Sequence, residues 1–186
     1  CKIMITNEEI ATIARPEGMH ARAYTDPQIF DLEMERIFGR VWVFLGHESQ
    51  LAKPGDFWQS QIGTNEVLLV RQRDYSIKTL FNSCSHRGTR LCNIRSGNVK
   101  SFICPYHAWA FDLNGQIKSV PDPTAYPYSF KNADLNLRSA QRVSSYRGFI
   151  FASLSLEGPS LEEFLGPMAD AIDNLIQRSP DEQISI

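Results

Sequence analysis

Short apolar runs separated by turn residues fill the chain from residue 41 to residue 152. The runs lie at 41–45, 66–70, 77–81, 109–111, 116–118 and 148–152, with a further apolar position at Ile62. Runs of this length and composition are typical of β-strands. Pro54-Gly55 and Asn114-Gly115 lie between runs and predict turns, and Asn-Gly favours the positive φ angles of a tight hairpin. The pattern predicts an antiparallel sheet or barrel over most of the chain.

The segment before these runs contains one stretch with helical spacing. Asp26 can cap a helix whose first position is Pro27, and apolar residues follow at helical intervals as far as Phe38. Gly39 then predicts the end of this helix. Residues 1–24 show no sustained period, and they predict no element.

The end of the chain shows a second helical pattern. Ser160 and Glu163 form a capping box, and an apolar stripe continues to Ile176, which predicts a single helix that closes the chain. The predicted fold class is therefore mainly β, an antiparallel β-sandwich or barrel with flanking N- and C-terminal α-helices. We divide the chain into an N-terminal segment with a helix (1–40), a central domain (41–155) and a helical junction (156–186).

Composition and charge narrow the possible partners. The chain has 186 residues, 42% of them apolar, and a formal net charge of −2, which is ordinary for a globular protein. This charge gives no reason to expect nucleic acid or an anionic membrane as a partner. No run approaches the roughly 18 consecutive apolar residues of a membrane span, and a secretory signal is not evident. We therefore expect a cytoplasmic location.

Two short motifs carry the chemistry. Cys84-Ser85-His86 and Cys104-Pro105-Tyr106-His107 are separated by seventeen residues, and each contains one thiol and one imidazole. Two cysteines and two histidines are a known ligand set for a [2Fe-2S] cluster, in which the cysteines bind one iron and the histidines the other. Cys84, His86, Cys104 and His107 are therefore the candidate metal and cofactor ligands. They indicate a one-electron carrier, and no residue is predicted to be catalytic.

The mixed ligand set has an electrostatic consequence. Two ferric ions and two sulfides carry about +2, so four thiolates would leave the site near −2, whereas two thiolates and two neutral imidazoles bring it near zero. An added electron is then repelled less, and the reduction potential is higher. A structural zinc site is the alternative, because it can also use two cysteines and two histidines. Zinc motifs usually place like residues together, so the mixed motifs favour the cluster. Cys1 and Cys92 lie outside the motifs and do not indicate a disulfide framework.

The residues around the motifs resemble a known family. The segments 45–48, 53–56, 81–88 and 104–109 resemble the Rieske domain in the large (alpha) subunit of bacterial aromatic-ring-hydroxylating dioxygenases, and they are most similar to the biphenyl, toluene and naphthalene group. The resemblance covers about residues 24–165. It implies a Rieske-type antiparallel β fold, with residues 41–155 as the Rieske [2Fe-2S] domain. It also implies that the imidazoles face the surface.

The resemblance further implies an electron relay. A reductase and a ferredoxin would supply electrons to the cluster, which would pass them to a mononuclear non-haem iron that cis-dihydroxylates an arene. That iron needs two histidines and a carboxylate, and only His20 and His47 remain, for which structural roles are the simpler interpretation. We therefore expect the mononuclear iron only in a catalytic domain beyond residues 156–186.

The resemblance also bears on partners and on the main alternative. Alpha subunits of this family form trimers, often with beta subunits, and electron transfer crosses between neighbouring chains. The alternative function is a free-standing Rieske ferredoxin-type electron carrier. Such carriers are about 100 residues long, a size typical of one small domain. The segments that flank the central domain therefore favour the subunit.

Three residues beside the ligands leave questions that the sequence does not decide. Ala108 stands where the family usually has glycine. Alanine fits this position if φ is negative, but it constrains the backbone if φ is positive. Tyr106 and Trp109 either limit access of water to the cluster or pack as ordinary core aromatics. Trp109 also stands where the respiratory type of Rieske protein has a serine that donates a hydrogen bond to a cluster sulfur. We therefore expect a reduction potential towards the low end of the Rieske range.

Overall fold

A computed structural model describes residues 5–126, 135–178 and 184–185 of the chain. Its α-helices are α1 (Asn7–Ala11), α2 (Arg22–Thr25), α3 (Pro27–Glu33), α4 (Leu161–Leu165) and α5 (Pro167–Gln177). Its strands are β1 (Ala14–Arg15), β2 (Gly18–Met19), β3 (Val43–His47), β4 (Asp56–Ile62), β5 (Asn65–Arg71), β6 (Ile77–Phe81), β7 (Ser96–Asn98), β8 (Phe102–Ile103), β9 (Ala110–Phe111), β10 (Ile117–Ser119), β11 (Arg142–Tyr146) and β12 (Phe149–Ser153). Within these ranges no helix has the length and apolar character needed to cross a membrane.

The strands form three main sheets, and every strand pair is antiparallel. A four-stranded sheet has the order β6-β5-β4-β7, and two three-stranded sheets have the orders β11-β12-β3 and β10-β9-β8. The two short strands β1 and β2 form a separate hairpin. The α-helices lie before and after the three main sheets, and two 3₁₀ helices, Glu48–Leu51 and Pro123–Ala125, lie between their strands. The predicted fold class, mainly β and antiparallel with flanking helices, is confirmed.

Strand β5 lies between two hydrophobic cores, which explains its continuous apolar sequence. Leu68 and Val70 contact one core, and Val67 and Leu69, which point to the other face of the strand, contact the second. Successive side chains of a strand point to opposite faces, so a strand covered on both faces has no exposed position that favours a polar residue. The first core also contains both motif cysteines, so this part of the candidate site is buried in the hydrophobic core.

The predicted N-terminal helix is confirmed at its start and altered near its end. The Asp26 side chain accepts a hydrogen bond from the Gln28 N–H, and Pro27 occupies the first helical position. The last turn, Met34–Phe38, is π-helical, and the helix ends at Gly39 as predicted. Gly39 has an ordinary negative φ of −73°. A Cβ there would lie 2.5 Å from a backbone carbonyl oxygen of the preceding turn, so the close approach explains the glycine.

The single closing helix was a wrong prediction, because the structure has two helices there. The capping box is present, with the Ser160 hydroxyl accepting from the Glu163 N–H and the Glu163 carboxylate accepting from the Ser160 N–H. Gly166, at φ 47° and ψ −130°, breaks the helix, and Pro167 begins the next one. Proline cannot supply the N–H of a continuing helix, which makes it a favoured first residue instead. Leu161 and Leu165 of α4 pack against Trp42 in a third, smaller core.

The N-terminal segment was also predicted incompletely. The periodicity of residues 1–24 predicted no element, yet α1, the β1–β2 hairpin and the start of α2 lie there. Thr6 caps α1 in a second capping box with Glu9. Helix α1 has only five residues, which is too short for a periodic pattern to emerge, so the capping pair was the available signal.

The predicted turn before β10 is present in a different form. Gly115 has a positive φ of 81°, whereas Asn114 is not among the residues with positive φ, so the hairpin does not use two left-handed residues. The Asp112 carboxylate accepts hydrogen bonds from the Asn114 and Gln116 N–H groups, which holds the turn by a side chain instead.

One buried hydroxyl in the second core gives a stability prediction. Thr79 of β6 lies opposite Leu69, is fully buried, and its Oγ1 has no hydrogen-bond partner among the described residues. Thr79→Val removes this unpaired group and keeps the side-chain shape, so we expect about 1 kcal/mol more stability and a melting temperature about 2–4 °C higher. Thermal unfolding followed by circular dichroism measures the change. The control Thr79→Ser keeps the hydroxyl and loses a methyl, and it is expected to lower the melting temperature. A less stable Thr79→Val variant would contradict the assignment.

Candidate metal centre

The two ligand motifs form loops with the same backbone hydrogen bonds. In the first loop the Cys84 N–H donates to the Thr89 carbonyl (2.8 Å) and the Gly88 N–H donates to the Cys84 carbonyl (2.8 Å). In the second loop the Cys104 N–H donates to the Trp109 carbonyl (2.8 Å) and the Ala108 N–H donates to the Cys104 carbonyl (2.9 Å). Both loops therefore span six residues from the cysteine and turn back in the same way.

The fold brings the four candidate ligands together in like pairs. Cys84 and Cys104 belong to the same buried core, and the Cys104 thiol lies close enough to raise the pKa of the Cys84 thiol. The imidazole rings of His86 and His107 have centroids 4.8 Å apart. Each loop mixes the two donor types, yet across the loops cysteine faces cysteine and histidine faces histidine. This is the arrangement that a cluster with two differently ligated irons needs.

The two pairs differ in burial. Both cysteines are 2% exposed and belong to the first hydrophobic core, whereas both histidines are only partly buried. The thiol pair therefore forms the inner end of the site, and the imidazole pair forms the outer end. Cys84 and Cys104 are free thiols. Among the described residues, no three Cys, His, Asp or Glu side chains converge on one point that could hold a single metal ion.

The protonation of the site reflects this burial. Burial raises the pKa of the Cys84 thiol, and the nearby Cys104 thiol raises it further, while the backbone N–H groups of His86 and Arg87 act in the opposite direction. These N–H groups stabilise a thiolate, the form that binds metal. Burial lowers the pKa of His86, as do the neighbouring His107 and Arg87. A lowered pKa favours the neutral imidazole, which is the ligand form of histidine.

One buried atom indicates that the site fits a metal group. The Nδ1 atom of His107 is buried and has no hydrogen-bond partner among the described residues. An unpaired buried nitrogen is costly, and a metal–ligand bond is one way to satisfy it. Two soft thiol ligands at the inner end and two imidazoles at the outer end also suit iron in a [2Fe-2S] cluster. The residues present therefore fit the group that the motifs predicted.

The two aromatic residues near the ligands have different surroundings. Trp109 is 1% exposed and stacks on the His86 ring, with centroids 4.5 Å apart and planes 10° from parallel. Tyr106 is 61% exposed and lies over the His107 ring at a centroid distance of 3.9 Å. Tyr126, which the motif analysis did not single out, contacts both His86 and Trp109 edge-on. Trp109 is thus a core residue that stacks on the candidate ligand His86, and Tyr106 covers the candidate ligand His107 from the outside.

The remaining sequence candidates lie away from the ligands or have ordinary partners. His47 is 6% exposed, and its Nδ1 lies 3.0 Å from the Ser49 hydroxyl. The Nδ1 of His20 accepts a hydrogen bond from the Arg22 N–H. Cys92 is partly buried and packs against the first core. Cys1 lies outside the described residues.

Ala108 adopts the conformation that favours glycine. Its φ is 56°, and the equivalent residue of the first loop, Gly88, has a φ of 73°. A left-handed conformation costs a non-glycine residue about 1–2 kcal/mol, part of which is offset because alanine loses less backbone entropy on folding. The departure from the family pattern at this position therefore strains the second loop.

This strain predicts opposite effects of two matched substitutions. Ala108→Gly is expected to raise the free energy of unfolding by about 0.5–1 kcal/mol, because glycine adopts positive φ without strain. Gly88→Ala is expected to lower it by about 1 kcal/mol, since its Cβ would meet only the Ser83 Oγ, at 3.8 Å, so that backbone strain alone acts. Denaturant unfolding measures both. Effects of the same sign would contradict the interpretation.

Comparison with protein families gives one match that covers most of the strands. The model of the Rieske [2Fe-2S] domain matches residues 41–146, which include both ligand loops. This range is more than half of the chain.

Individual relatives extend the similarity beyond that range. The biphenyl dioxygenase alpha subunit of Metapseudomonas furukawaii is 39% identical over 171 residues, which cover 89% of this chain and 37% of the relative. The biphenyl 2,3-dioxygenase alpha subunit of Rhodococcus jostii is 41% identical over 166 residues, covering 89% and 36%. The naphthalene 1,2-dioxygenase of a Rhodococcus species bound to indole is a similar solved structure, with a TM-score of 0.76 and 33% identity, covering 91% of this chain and 40% of that one. The chain thus spans little more than a third of the length of the curated relatives that it matches.

Proposed function

The chain belongs to the Rieske [2Fe-2S] domain family, and from this premise we propose that it is the electron-transfer domain of an aromatic-ring-hydroxylating dioxygenase alpha subunit. Cys84 and Cys104 would bind one iron of the cluster, and His86 and His107 would bind the other. The bound cluster supplies one-electron redox chemistry. The residues themselves supply ligands, orientation and a boundary between the cluster and the core.

One observation carries this proposal, namely the pairing of like ligands across two loops of mixed composition. The thiol pair lies in the core and the imidazole pair at the surface. An electron that enters or leaves through the imidazoles has a short path to a partner, because these rings are the outer end of the site. The imidazole pair, through which electrons would pass, therefore faces the surface, while the thiol pair is shielded from water in the core.

The residues around the ligands have distinct tasks in this relay. The backbone N–H groups of His86 and Arg87 stabilise the Cys84 thiolate. Trp109 holds the His86 ring by stacking, which fixes the orientation of the imidazole. Tyr106 shields one face of His107 from water while it stays at the surface. Each task acts on a ligand, and none requires chemistry by the protein itself.

The larger protein would perform the oxygenation. A reductase and a ferredoxin would deliver single electrons to the cluster, and the electrons would continue to a mononuclear non-haem iron in a catalytic domain, where an arene is cis-dihydroxylated. Relatives named as biphenyl, benzene and toluate dioxygenase alpha subunits support this assignment. We also propose the division into an N-terminal segment, a Rieske domain (41–155) and a helical junction (156–186). An alpha-subunit trimer, with possible beta subunits, and a cytoplasmic location stay predictions.

The free-standing Rieske ferredoxin-type carrier is the second candidate. Similarity to alpha subunits extends over 171 residues, beyond the 41–146 range of the domain itself, and this favours the subunit. The coding sequence beyond Ile186 distinguishes the two functions. An open frame that supplies two histidines and a carboxylate for a mononuclear iron would support the oxygenase. A stop codon there would favour the carrier.

Catalytic turnover tests the proposed oxygenase directly. The complete subunit, supplied with reduced ferredoxin and an uncharged arene such as biphenyl, is expected to form a cis-dihydrodiol and to consume dioxygen. The complete subunit with His86→Ala is the control, and it is expected to bind the arene without oxidising it. Turnover that persists in this variant would contradict the relay.

The surroundings of Trp109 give a prediction for the reduction potential. By the resemblance of the motifs, Trp109 stands at the sequence position where respiratory Rieske proteins have a serine that donates a hydrogen bond to a cluster sulfur. With this hydrogen bond missing, the reduced cluster is less stabilised, so we expect a potential near the low end of the range of roughly −150 to +300 mV. A redox titration of the purified chain measures it. A value above about +100 mV would contradict the prediction.

A further inference from the structure

The two ligand loops have the same internal hydrogen bonds but are held to the fold in different ways. The second loop lies between β8 and β9, which pair through Phe102 with Phe111 and Ile103 with Ala110. Backbone pairing therefore clamps the two ends of that loop. The first loop begins directly after β6, but the residues that follow it, 90–95, belong to no strand. Strand pairing cannot clamp its two ends.

A single buried side chain supplies the clamp in the first loop. Asn82 lies two residues before Cys84 and is 3% exposed. Its Oδ1 accepts hydrogen bonds from the N–H groups of Leu91 (3.1 Å) and Cys92 (2.9 Å), and its Nδ2 donates to the Cys92 carbonyl (2.8 Å). The Asn82 backbone N–H donates to the Glu66 carbonyl of β5 (2.9 Å), which anchors the same residue to the central sheet.

These bonds reproduce the pairing of a strand. The side-chain amide of asparagine has the donor and acceptor of a peptide group, and with Cys92 it exchanges both, as two directly paired residues of an antiparallel sheet do. The amide thus closes the segment 82–92, which contains Cys84 and His86. No charge is buried, because both partners are neutral.

We propose that Asn82 is the positioning residue of the first ligand loop. By closing the loop, Asn82 holds Cys84 and His86 at the distance from the second loop that the cluster needs. This inference rests on the proposed cluster ligation by the two loops. Asn82 itself touches no ligand side chain in these contacts, so it acts through the loop. In the second loop, the pairing of β8 with β9 performs the same task.

Two substitutions of Asn82 separate the contributions of its hydrogen bonds. Asn82→Ala removes all three side-chain bonds, and we expect release of iron to a chelator to be about ten times faster than in the wild type. Asn82→Asp keeps the acceptor for Leu91 and Cys92 but places a carboxylate oxygen against the Cys92 carbonyl, so its release rate is expected to be at least as fast as that of Asn82→Ala. The paramagnetic signal of the reduced cluster in Asn82→Ala is also expected to shift, since the first loop would no longer hold Cys84 and His86 at one distance from the second loop.

A matched control distinguishes positioning from general stability. Gln72 is 5% exposed, and its Nε2 donates to the carbonyls of Val70 and Leu113, away from the first loop. Gln72→Ala removes a buried amide of similar cost, and it is expected to lower stability while leaving the iron release rate and the paramagnetic signal unchanged. If Gln72→Ala accelerates iron release as much as Asn82→Ala does, the positioning role is wrong.

Hydrogen exchange gives a readout that does not need the cluster. In the metal-free chain, Asn82→Ala is expected to accelerate exchange at the Leu91 and Cys92 amides and at the Cys84 amide, while the Cys104 amide in the second loop exchanges as in the wild type. Uniform acceleration, or none, would overturn the proposal. If the wild-type chain binds no iron, the cluster assignment is refuted. If the wild-type chain holds a full cluster and Asn82→Ala releases iron at the same rate, only the positioning role is refuted.

Discussion

Replacing Cys84 with serine is expected to lower the iron content of the purified chain by about tenfold or more. The Cys84 thiol lies in the core beside Cys104, and serine is a much harder ligand whose hydroxyl stays protonated at neutral pH. The loss of one thiolate leaves one iron with an incomplete ligand set. Iron analysis and visible absorption of anaerobically purified protein measure the effect.

Cys92 provides the matched control for this substitution. It lies eight residues after Cys84, is partly buried and packs against the same core, but it belongs to neither motif. Cys92→Ser is therefore expected to retain the iron content and the colour of the wild type. Equal loss of iron in both variants would mean that serine disturbs the core rather than the ligand set. Full iron content in Cys84→Ser would remove Cys84 from the site.

Replacing Arg71 with methionine is expected to destabilise the fold by about 3–4 kcal/mol. Arg71, at the end of β5, is 8% exposed, and its guanidinium donates to the carbonyls of Leu51 (2.7 Å) and Tyr75 (2.7 Å) and to the Glu48 carboxylate (3.2 Å). Methionine matches the length of the apolar stem and removes the donors. Three backbone carbonyl groups, those of Leu51, Tyr75 and, at 3.5 Å, Glu48, then lose this donor, and the penalty accounts for most of the expected loss.

An exposed arginine is the control for the second prediction. Arg147 forms an ion pair with Asp173 at 2.8 Å, and its side chain is 52% exposed. Arg147→Met is expected to cost less than about 1 kcal/mol, since exposed ion pairs contribute little. Denaturant unfolding of both variants measures the difference. A loss below about 1 kcal/mol for Arg71→Met would show that water replaces the guanidinium at those carbonyl groups.

Strands β5 and β6 were predictable because turn residues mark their limits, whereas β7, β8 and β11 were not predicted. Strand β6 was expected at 77–81 and is found at Ile77–Phe81, and the run at 66–70 corresponds to β5 at Asn65–Arg71. Both strands could be predicted because a buried strand is a short apolar run between turns. The closing helix was harder, since the apolar stripe continues in phase across Gly166-Pro167. Only Leu161 and Leu165 of the stripe are buried, whereas Met168 and Leu175 beyond the break are exposed. The sequence pattern does not show the break, which only the backbone at Gly166 reveals.

The candidate ligands were predictable because two residue types, cysteine and histidine, recur at short spacing in two motifs. Their like pairing across the loops was implied by the ligand set, and the structure brings Cys84 to Cys104 and His86 to His107. The support of these residues was not predictable. Trp109 stacks on a ligand twenty-three residues earlier in the chain, a contact that local patterns do not contain. The sign of φ at Ala108 also depends on how the whole second loop closes.

Electron paramagnetic resonance of the anaerobically purified chain after dithionite reduction tests the central claim most directly. If the two cysteines and two histidines hold a [2Fe-2S] cluster, we expect a rhombic signal from one unpaired electron per chain. We also expect two irons per chain. A chain that is colourless and silent after reduction, with one zinc in place of the two irons, would contradict the account.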